Sequence, residues 1–343
     1  MKRLLIVLVV LMVVAAGAFA YTFGEFQAAF QSFADGVASA LPLEASVGLN
    51  WSDAYIGQLI DAPPHFGIGV TGGAATIPYK AIESAITTFG GSIPSTLSFL
   101  TSFGIPLPSY SVDVRIGGFI LPFDIGVKFG YLPSGSLSNV GINSFSADYL
   151  MVGGDVRYAI LRDSGVSPGL SVGVGYTYMK GNIGVPGVLN GTINIASISA
   201  GGNTYDLQFS NPSLNFFWQT SVVDAKVQLS KTLFIITPFI GLGASYGISS
   251  AGGGMQSQMQ VQVNGGGYHT ATQADLDQLN SAFGTNFTLQ NPGFGVSSAA
   301  NGFSARVFGG FSFNIIILKI GVGAEYEFLS GSMAAMANAR IQL

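Results

Sequence analysis

Charged residues recur at every second position in several segments, a spacing that places them on one side of a strand. Seven basic and seven acidic residues share this placement. They are Arg115, Lys128, Arg157, Lys226, Arg306, Lys319 and Arg340, with Asp113, Asp124, Asp148, Asp155, Asp224, Glu325 and Glu327. Such a set can form a closed salt-bridge network, because charges withdrawn from water need partners. It can equally line the constriction of a polar conduit. The equal numbers leave both interpretations open, whereas strong ion selectivity would require a ring of one sign.

Other chemistry has little support in the sequence. With two histidines, His65 and His269, and no cysteine, there is no spacing for a metal site. Residues 165–169 and 243–247 match Gly-x-Ser-x-Gly, but they fall in a predicted turn and a predicted strand rather than at a nucleophile elbow. The net charge of −4 gives no electrostatic basis for binding nucleic acid. We therefore expect no enzyme activity, no cofactor, no metal and no nucleic-acid partner.

The segments that carry the charges alternate with a period of two, which predicts β-strands. In residues 316–328, the even positions are apolar or aromatic, and the odd positions include Lys319, Gly321 and Glu325. A soluble sheet would expose a face rich in charge, whereas here one face is continuously apolar and the other is glycine, serine and sparse charge. This pattern is typical of a transmembrane β-barrel. It also accounts for 48 glycines beside a mean hydropathy of +0.49.

The alternation predicts an all-β fold, an antiparallel up-and-down barrel of ten strands. The predicted strands are 66–74, 110–120, 122–131, 145–158, 168–180, 213–229, 232–247, 302–314, 316–329 and 333–343. Strands at 43–51 and within 190–210 would raise the number to the alternative of twelve. The charges of 145–158 change face at Gly153-Gly154, and the polar residues of 213–229 change face as well. Both changes predict a β-bulge.

The remaining segments complete the predicted organisation. Residues 1–20 have the basic start, apolar run and Ala18-Phe19-Ala20 ending of a signal peptide. Residues 21–42 form a pre-barrel helical segment and 43–343 the barrel, with a helical insertion at 76–106 and long external loops at 181–212 and 248–301. Helices are predicted at 25–38, 78–103 and from Thr272 to Phe283. The first two either plug the barrel mouth or merely tether and cap it.

The signal peptide, the alternating strands and the final strand 335–343 together resemble bacterial outer-membrane β-barrel proteins. In that class the last residue is often Phe, whereas this chain ends Ile341-Gln342-Leu343. The helices before and within the barrel are similar in placement to the hatch of outer-membrane transporters for fatty acids and other hydrophobic solutes. The resemblance implies an outer-membrane location, contact with outer-membrane lipid and insertion by the barrel-assembly machinery. It leaves the oligomeric state open.

Three functions follow from this sequence. The first is a passive channel or transporter for small solutes, including hydrophobic ones. The second is a structural or surface-exposed interaction protein whose external loops are the working surface. The third, a barrel enzyme using His65 or His269 as a general base, lacks a serine placed beside either histidine.

Overall fold

The computed structural model describes residues 23–56, 64–79, 83, 102–118, 122–136, 146–185, 192–200, 202–283 and 293–343. The predicted signal peptide lies outside the described residues, as does most of the helix predicted at 78–103.

Strands make up most of the described chain. They are β1 (His65–Ile77), β2 (Ile105–Gly117), β3 (Phe123–Leu132), β4 (Ser146–Leu161), β5 (Gly169–Val185), β6 (Thr192–Ala200), β7 (Asn203–Ser230), β8 (Ile236–Val263), β9 (His269–Thr270), β10 (Gly293–Ile315), β11 (Leu318–Glu327) and β12 (Met333–Gln342). Two helices accompany them, α1 (Phe23–Glu44) and α2 (Gln273–Phe283). No helix among the described residues is long and apolar enough to cross a membrane.

Ten of the strands close into a barrel. The ring runs β1-β2-β3-β4-β5-β7-β8-β10-β11-β12, and β12 pairs with β1 to complete it. Every neighbouring pair is antiparallel, as Gly69↔Arg340 across the closing pair illustrates. The predicted ten-strand antiparallel barrel is therefore confirmed. Residues 43–51 do not form the additional strand, because they lie inside the barrel without a sheet partner.

The two sides of the wall alternate along each strand. On β3, Ile125, Val127 and Phe129 are exposed on the outer side, whereas Asp124 and Lys128 are buried on the inner side. The outer side of the barrel is thus apolar. Because the barrel is closed, no strand has an unpaired edge, and its backbone amides and carbonyls bond to the neighbouring strands.

The two ends of the barrel differ in their connections. At the short-turn end, residues 118–122, 162–168, 231–235 and 316–317 join consecutive strands. The longer connections lie at the opposite end, here called the long-loop end, together with the brief turn 328–332. The alternation of short and long connections agrees with the predicted up-and-down topology.

Much of the sequence predicted as long external loops is ordered as sheet. Beyond the barrel wall, β7 and β8 continue as paired strands, with β6 added beside β7 and β9 beside β8; this extension is called the outer sheet. Within the described residues, strands therefore replace the predicted loop over most of 181–212 and half of 248–301. The reason is that the extension has its own core, which helix α2 helps to cover. Its buried members are Tyr205, Leu207, Met259, Val261, Ala271 and Leu276.

Helix α2 begins where the sequence predicted. The Asp275 amide donates to Thr272 Oγ1 at 3.4 Å, and the Thr272 hydroxyl donates to Asp275 Oδ2 at 2.5 Å. Burial acts to raise the pKa of Asp275, but the Thr272 hydroxyl and amide outweigh it, so the pKa lies below its ordinary value. The capping prediction for Thr272 is confirmed.

The two predicted changes of face do not occur. Strand β4 pairs with β5 in unbroken register from Ser146 to Ala159, and residues 213–230 of β7 pair with β8 in unbroken register. Asp148 therefore shares the outer face with Val152 and Val156 and does not line the lumen, contrary to the sequence prediction.

Candidate functional site in the barrel lumen

The lumen is occupied by the chain's own N-terminal residues. Helix α1 packs against the inner sides of β1, β7, β8 and β10. Residues 45–56 continue from it as an irregular segment of turns and bends, with positive φ at Gly48 and Leu49. Helix and segment together run from the long-loop end to the short-turn end. At the first, the Gln31 side-chain amide approaches Ser297 O at 3.4 Å; at the second, Ile56 O lies 3.0 Å from His65 Nδ1. Residues 23–56 are called the plug. The helix predicted at 25–38 thus lies inside the barrel, as the plug interpretation predicted.

The half of the lumen nearer the long-loop end is apolar. Helix α1 presents Val37, Ala38, Ala40 and Leu41 to a wall of buried apolar side chains, and this set is called the apolar tier. Its wall members are Ile77, Ile105, Leu107, Tyr149, Met151, Met179, Trp218 and Ala251. Phe33 of the helix also meets the Phe216 ring edge-on, with centroids 5.1 Å apart.

The apolar tier explains why the sequence wrongly predicted two bulges. Tyr149 and Met151 on β4, and Phe216 and Trp218 on β7, are apolar residues that point inward at helix α1. A prediction that expects only polar residues in the lumen places these four on the outer face. It must then add a bulge so that the charged residues further along the same strand point inward. Trp218 likewise belongs to the lumen. The interior itself changes from apolar to charged, while each strand keeps its phase.

The half nearer the short-turn end contains a buried ion-pair network, here called the charged tier. Arg115 lies 2.5 Å from Asp124 and 2.7 Å from Asp155. Arg157 shares Asp124 at 2.7 Å, and Lys226 shares Asp155 at 2.9 Å. These five side chains are almost completely buried, so their charges are compensated by one another.

A second part of the charged tier joins β7, β10 and β11. Arg306 Nε lies 3.1 Å from Glu325, and its Nη2 lies 3.4 Å from Asp224. Glu325 in turn accepts hydrogen bonds from Ser46 at 2.7 Å and Asn50 at 2.5 Å, both in the plug. The wall charges are therefore bound to the plug as well as to one another.

Wall donors also bind the backbone carbonyls of the plug. Lys128 Nζ donates to Ala45 O at 2.6 Å and Val47 O at 2.7 Å, and Arg115 donates to Leu49 O at 3.1 Å. This irregular segment inside the barrel has no sheet neighbour, and a buried carbonyl without a partner is costly. The basic residues of the wall meet that requirement.

The same pattern continues toward the short-turn end. Gln228 donates to Trp51 O at 2.7 Å and to Ser52 O at 3.0 Å, while Arg157 donates to Asp53 O at 2.7 Å. Two guanidinium groups contact the Trp51 ring, with Arg340 5.0 Å and Arg115 5.7 Å from its centroid. Cation–π contacts of this kind add to the attraction between wall and plug.

Glycines in the wall make room for plug side chains. A Cβ atom at Gly67 would lie 2.6 Å from the Trp51 ring, and one at Gly126 would lie 2.7 Å from Leu49 Cδ2. Within the plug, Gly48 has φ +87° and an added Cβ would meet Ser111 Oγ at 2.5 Å, so a side chain there is excluded twice. Gly48, Gly67 and Gly126 thus lie where the lumen leaves no room for a side chain.

All the sequence-predicted charged residues except Asp148 lie on inner positions of the wall. Glu327 differs in role, because it accepts hydrogen bonds from Leu329 and Ser330 amides in the turn at the long-loop end. Sequence reasoning missed two acidic residues of the plug, Glu44 and Asp53, both buried. Residues 43–51, which contain Glu44 and end two residues before Asp53, were interpreted as an additional strand in the twelve-strand alternative. The basic side chains of the wall were the one signal in the sequence that could have indicated partners for these two carboxylates.

The two histidines serve separate local contacts. His65 approaches Ile56 O and the Tyr55 ring at the short-turn end, whereas His269 lies 3.3 Å from Asp275 on the outer sheet. Among the described residues, no group of three or more His, Asp or Glu side chains could hold a metal ion.

A family model described as Lsa36-like matches residues 61–343, which is most of the chain. The chain belongs to the Lsa36-like family. In this Lsa36-like protein the matched range includes all twelve strands, and the plug precedes it. No curated protein matches the chain.

The solved structures similar to this Lsa36-like protein include outer-membrane proteins. The translocator domain of autotransporter NalP from Neisseria meningitidis is 11% identical, with 90% of this chain and 97% of that chain covered and a TM-score of 0.34. The outer membrane protease OmpT from Escherichia coli is 8% identical, with 81% and 93% covered and a TM-score of 0.33. The toluene transporter TodX from Pseudomonas putida is 10% identical, with 87% and 96% covered and a TM-score of 0.25. At these values, none of the three bears on what this chain does.

Proposed function

We propose that this protein is an outer-membrane barrel, sealed by its own plug, that presents the outer sheet as an interaction surface outside the cell. The observation that carries the proposal is the filled lumen. From Leu41 to Ile56 nearly every plug residue is buried, and the wall charges are engaged by the plug or by one another. A barrel whose lumen is filled by its own plug is suited to support the outer sheet rather than to conduct solutes.

The outer side of the wall supports a membrane location. Val70, Val174 and Leu242 are among many apolar side chains exposed there, which water would disfavour and lipid would not. In bacterial barrels the short turns face the periplasm and the longer connections face outward. The proposal therefore includes export by the predicted signal peptide, insertion by the barrel-assembly machinery and outer-membrane lipid as the surrounding solvent. It includes no catalytic step.

The outer sheet supports a role in interaction, because it is not needed to close the barrel and yet is independently packed. One face holds its apolar core, and the other carries hydrogen-bonding side chains. Gln208 donates to Gln260 at 2.5 Å, and Ser197 bonds to Asp206 on the same face. A polar, ordered face that projects from a membrane is suited to recognition.

Planar-bilayer recording of the full-length protein tests the seal. We expect no steady conductance, because the plug fills the lumen. Stable single-channel steps from the unmodified protein would contradict the proposal.

Binding arrays of purified glycans and proteins, probed with the barrel in nanodiscs, test the surface. The variant Asp206→Ala/Gln208→Ala/Gln260→Ala should lose any specific binding. A matched control, Arg162→Ala/Asp163→Ala/Ser167→Ala at the short-turn end, should retain it. Absence of specific binding, or equal binding by both variants, would count against the outer sheet as the working surface.

The apolar tier favours a second function, passive transport of small hydrophobic solutes. Leu107, Met151 and Trp218 would form an apolar path if helix α1 withdrew. Because the chain has no cysteine, the double variant Val47→Cys/Gly73→Cys can be used to tether plug to wall. A Cβ at Gly73 would lie 3.0 Å from Val47 Cγ1 and 2.8 Å from Ala335 O, so β12 must shift slightly to admit it. Toluene uptake by proteoliposomes should then stop on oxidation and return on reduction. Uptake that never occurs would remove this function.

A further inference from the structure

Two basic residues of the wall face each other directly across neighbouring strands. Lys319 on β11 is the register partner of Arg340 on β12, and both side chains point inward. Like charges placed directly opposite in a sheet are destabilising. Within the described wall, neither side chain has an acidic residue within 4.0 Å, so the pair needs an anion from elsewhere.

The plug supplies that anion. Asp53 Oδ1 and Oδ2 lie 3.0 and 3.1 Å from Lys319 Nζ, and Asp53 Oδ2 lies 2.9 Å from Arg340 Nη2. The carboxylate therefore bridges the two cations. These charge-assisted contacts are of the strong class of hydrogen bond.

The wall orients one of the two cations on its own. Arg340 Nη1 donates to Asn338 Oδ1 at 2.8 Å, and Arg340 Nε donates to Gln342 Oε1 at 3.1 Å. Both partners lie on β12, so the guanidinium is held in place without help from Asp53. Binding groups held in this way form a site that an external ligand can use at small ordering cost.

The pair also lies near the short-turn end of the barrel. Lys319 follows the turn 316–317 by two residues, and its side chain is 13% exposed, whereas the Arg115 and Asp124 side chains are at 0%. A small solute can thus approach Lys319 without passing the rest of the charged tier.

We propose that Lys319 and Arg340 form a binding site for a small carboxylate anion, which the chain fills with its own Asp53. A free monocarboxylate takes the same position when the Asp53 carboxylate is absent. This site is separate from the outer sheet and does not depend on its role.

Chemical rescue tests the proposal in the full-length protein. The variant Asp53→Ala should unfold at a lower temperature in detergent, as followed by heat-modifiable gel migration. Sodium acetate, compared with sodium chloride at equal ionic strength, should restore at least half of that loss with saturation. The control Asp163→Ala, which breaks an ion pair with 25–26% exposed side chains, should show no difference between the two salts. Equal responses of Asp53→Ala to acetate and chloride would overturn the proposal.

A second variant keeps the test decisive if Asp53→Ala fails to fold. Asp53→Asn preserves the side-chain shape and removes the charge. In this variant, acetate should slow acylation of Lys319 by an amine-reactive reagent several-fold, as measured by mass spectrometry, and should leave Lys231 unaffected. Unchanged acylation of Lys319 in acetate overturns the proposal.

Discussion

The two tiers of the lumen are filled by one continuous segment in two conformations. In the apolar tier the plug is the helix α1, and the wall offers Leu107, Met151 and Trp218. In the charged tier the plug is an irregular segment, and the wall offers Lys128, Arg157 and other donors. The change of wall chemistry follows the change of plug conformation.

The physical reason is the backbone of the plug. A helix satisfies its amides and carbonyls internally, so the wall around it can be apolar. An irregular segment leaves most of its carbonyls without internal partners, and inside a barrel those carbonyls have no strand beside them. The wall must then supply donors, and basic side chains require acidic ones in turn. Three of the seven basic residues of the lumen, Arg115, Lys128 and Arg157, donate directly to carbonyls of the plug.

The largest effect is expected in the charged tier. Asp124→Ala removes the carboxylate that both Arg115 and Arg157 bind, and Arg157 has no other acidic partner within 4.0 Å among the described residues. An unpaired buried charge costs about 4 kcal/mol of the free energy of unfolding. Urea unfolding in detergent, followed by circular dichroism, measures the loss.

The exposed pair Lys231–Asp163 provides the control for this variant. Its side chains are 25% and 26% exposed, so Asp163→Ala should cost at most about 1 kcal/mol. Equal losses for Asp124→Ala and Asp163→Ala would mean that the lumen is hydrated and that the charged tier is not a closed network.

The apolar tier should respond nearly as strongly and by a different mechanism. Leu41→Ala removes a fully buried side chain of α1 and leaves a cavity against the wall, which costs about 3 kcal/mol. Ser39→Ala, on the exposed side of the same helix, should be close to neutral. If both substitutions are neutral, α1 does not contribute to stability and the comparison between tiers fails.

The barrel wall was predictable from sequence because its outer face is uniform. Val127 and Val322 both lie on this apolar outer face, so the period of two is continuous there. The inner face has no uniform environment. Tyr149 and Trp218 meet a helix, whereas Lys128 and Lys226 bind the irregular segment of the plug, and no local pattern distinguishes these neighbours. Residues 43–51 alternate like a strand, and only tertiary contacts assign them to the lumen.

A smaller effect should come from the fit of plug to wall. Gly67→Ala places a Cβ 2.6 Å from the Trp51 ring and should cost about 1–2 kcal/mol through displacement of the plug. Gly72 lies on the same strand with no atom within 4 Å of an added Cβ, so Gly72→Ala is its matched control and should be neutral. Tryptophan fluorescence should shift only in the first variant. Identical spectra and stabilities would place Trp51 away from the wall.

The smallest effect distinguishes a changing interior from a strand that changes face. Asp148 lies on the outer side of β4, so Asp148→Ala should alter the free energy of unfolding by no more than about 0.5 kcal/mol. Asp155→Ala, seven residues along the same strand, should cost several times more, because Arg115 and Lys226 both bind this carboxylate. If β4 contained a bulge at Gly153-Gly154, both carboxylates would face the lumen and both substitutions would be severe. If Asp148→Ala leaves the free energy of unfolding unchanged and Asp155→Ala lowers it strongly, then inner and outer residues alternate along β4 without a bulge. The inward-pointing residues of β4 then change from apolar at the long-loop end to charged at the short-turn end.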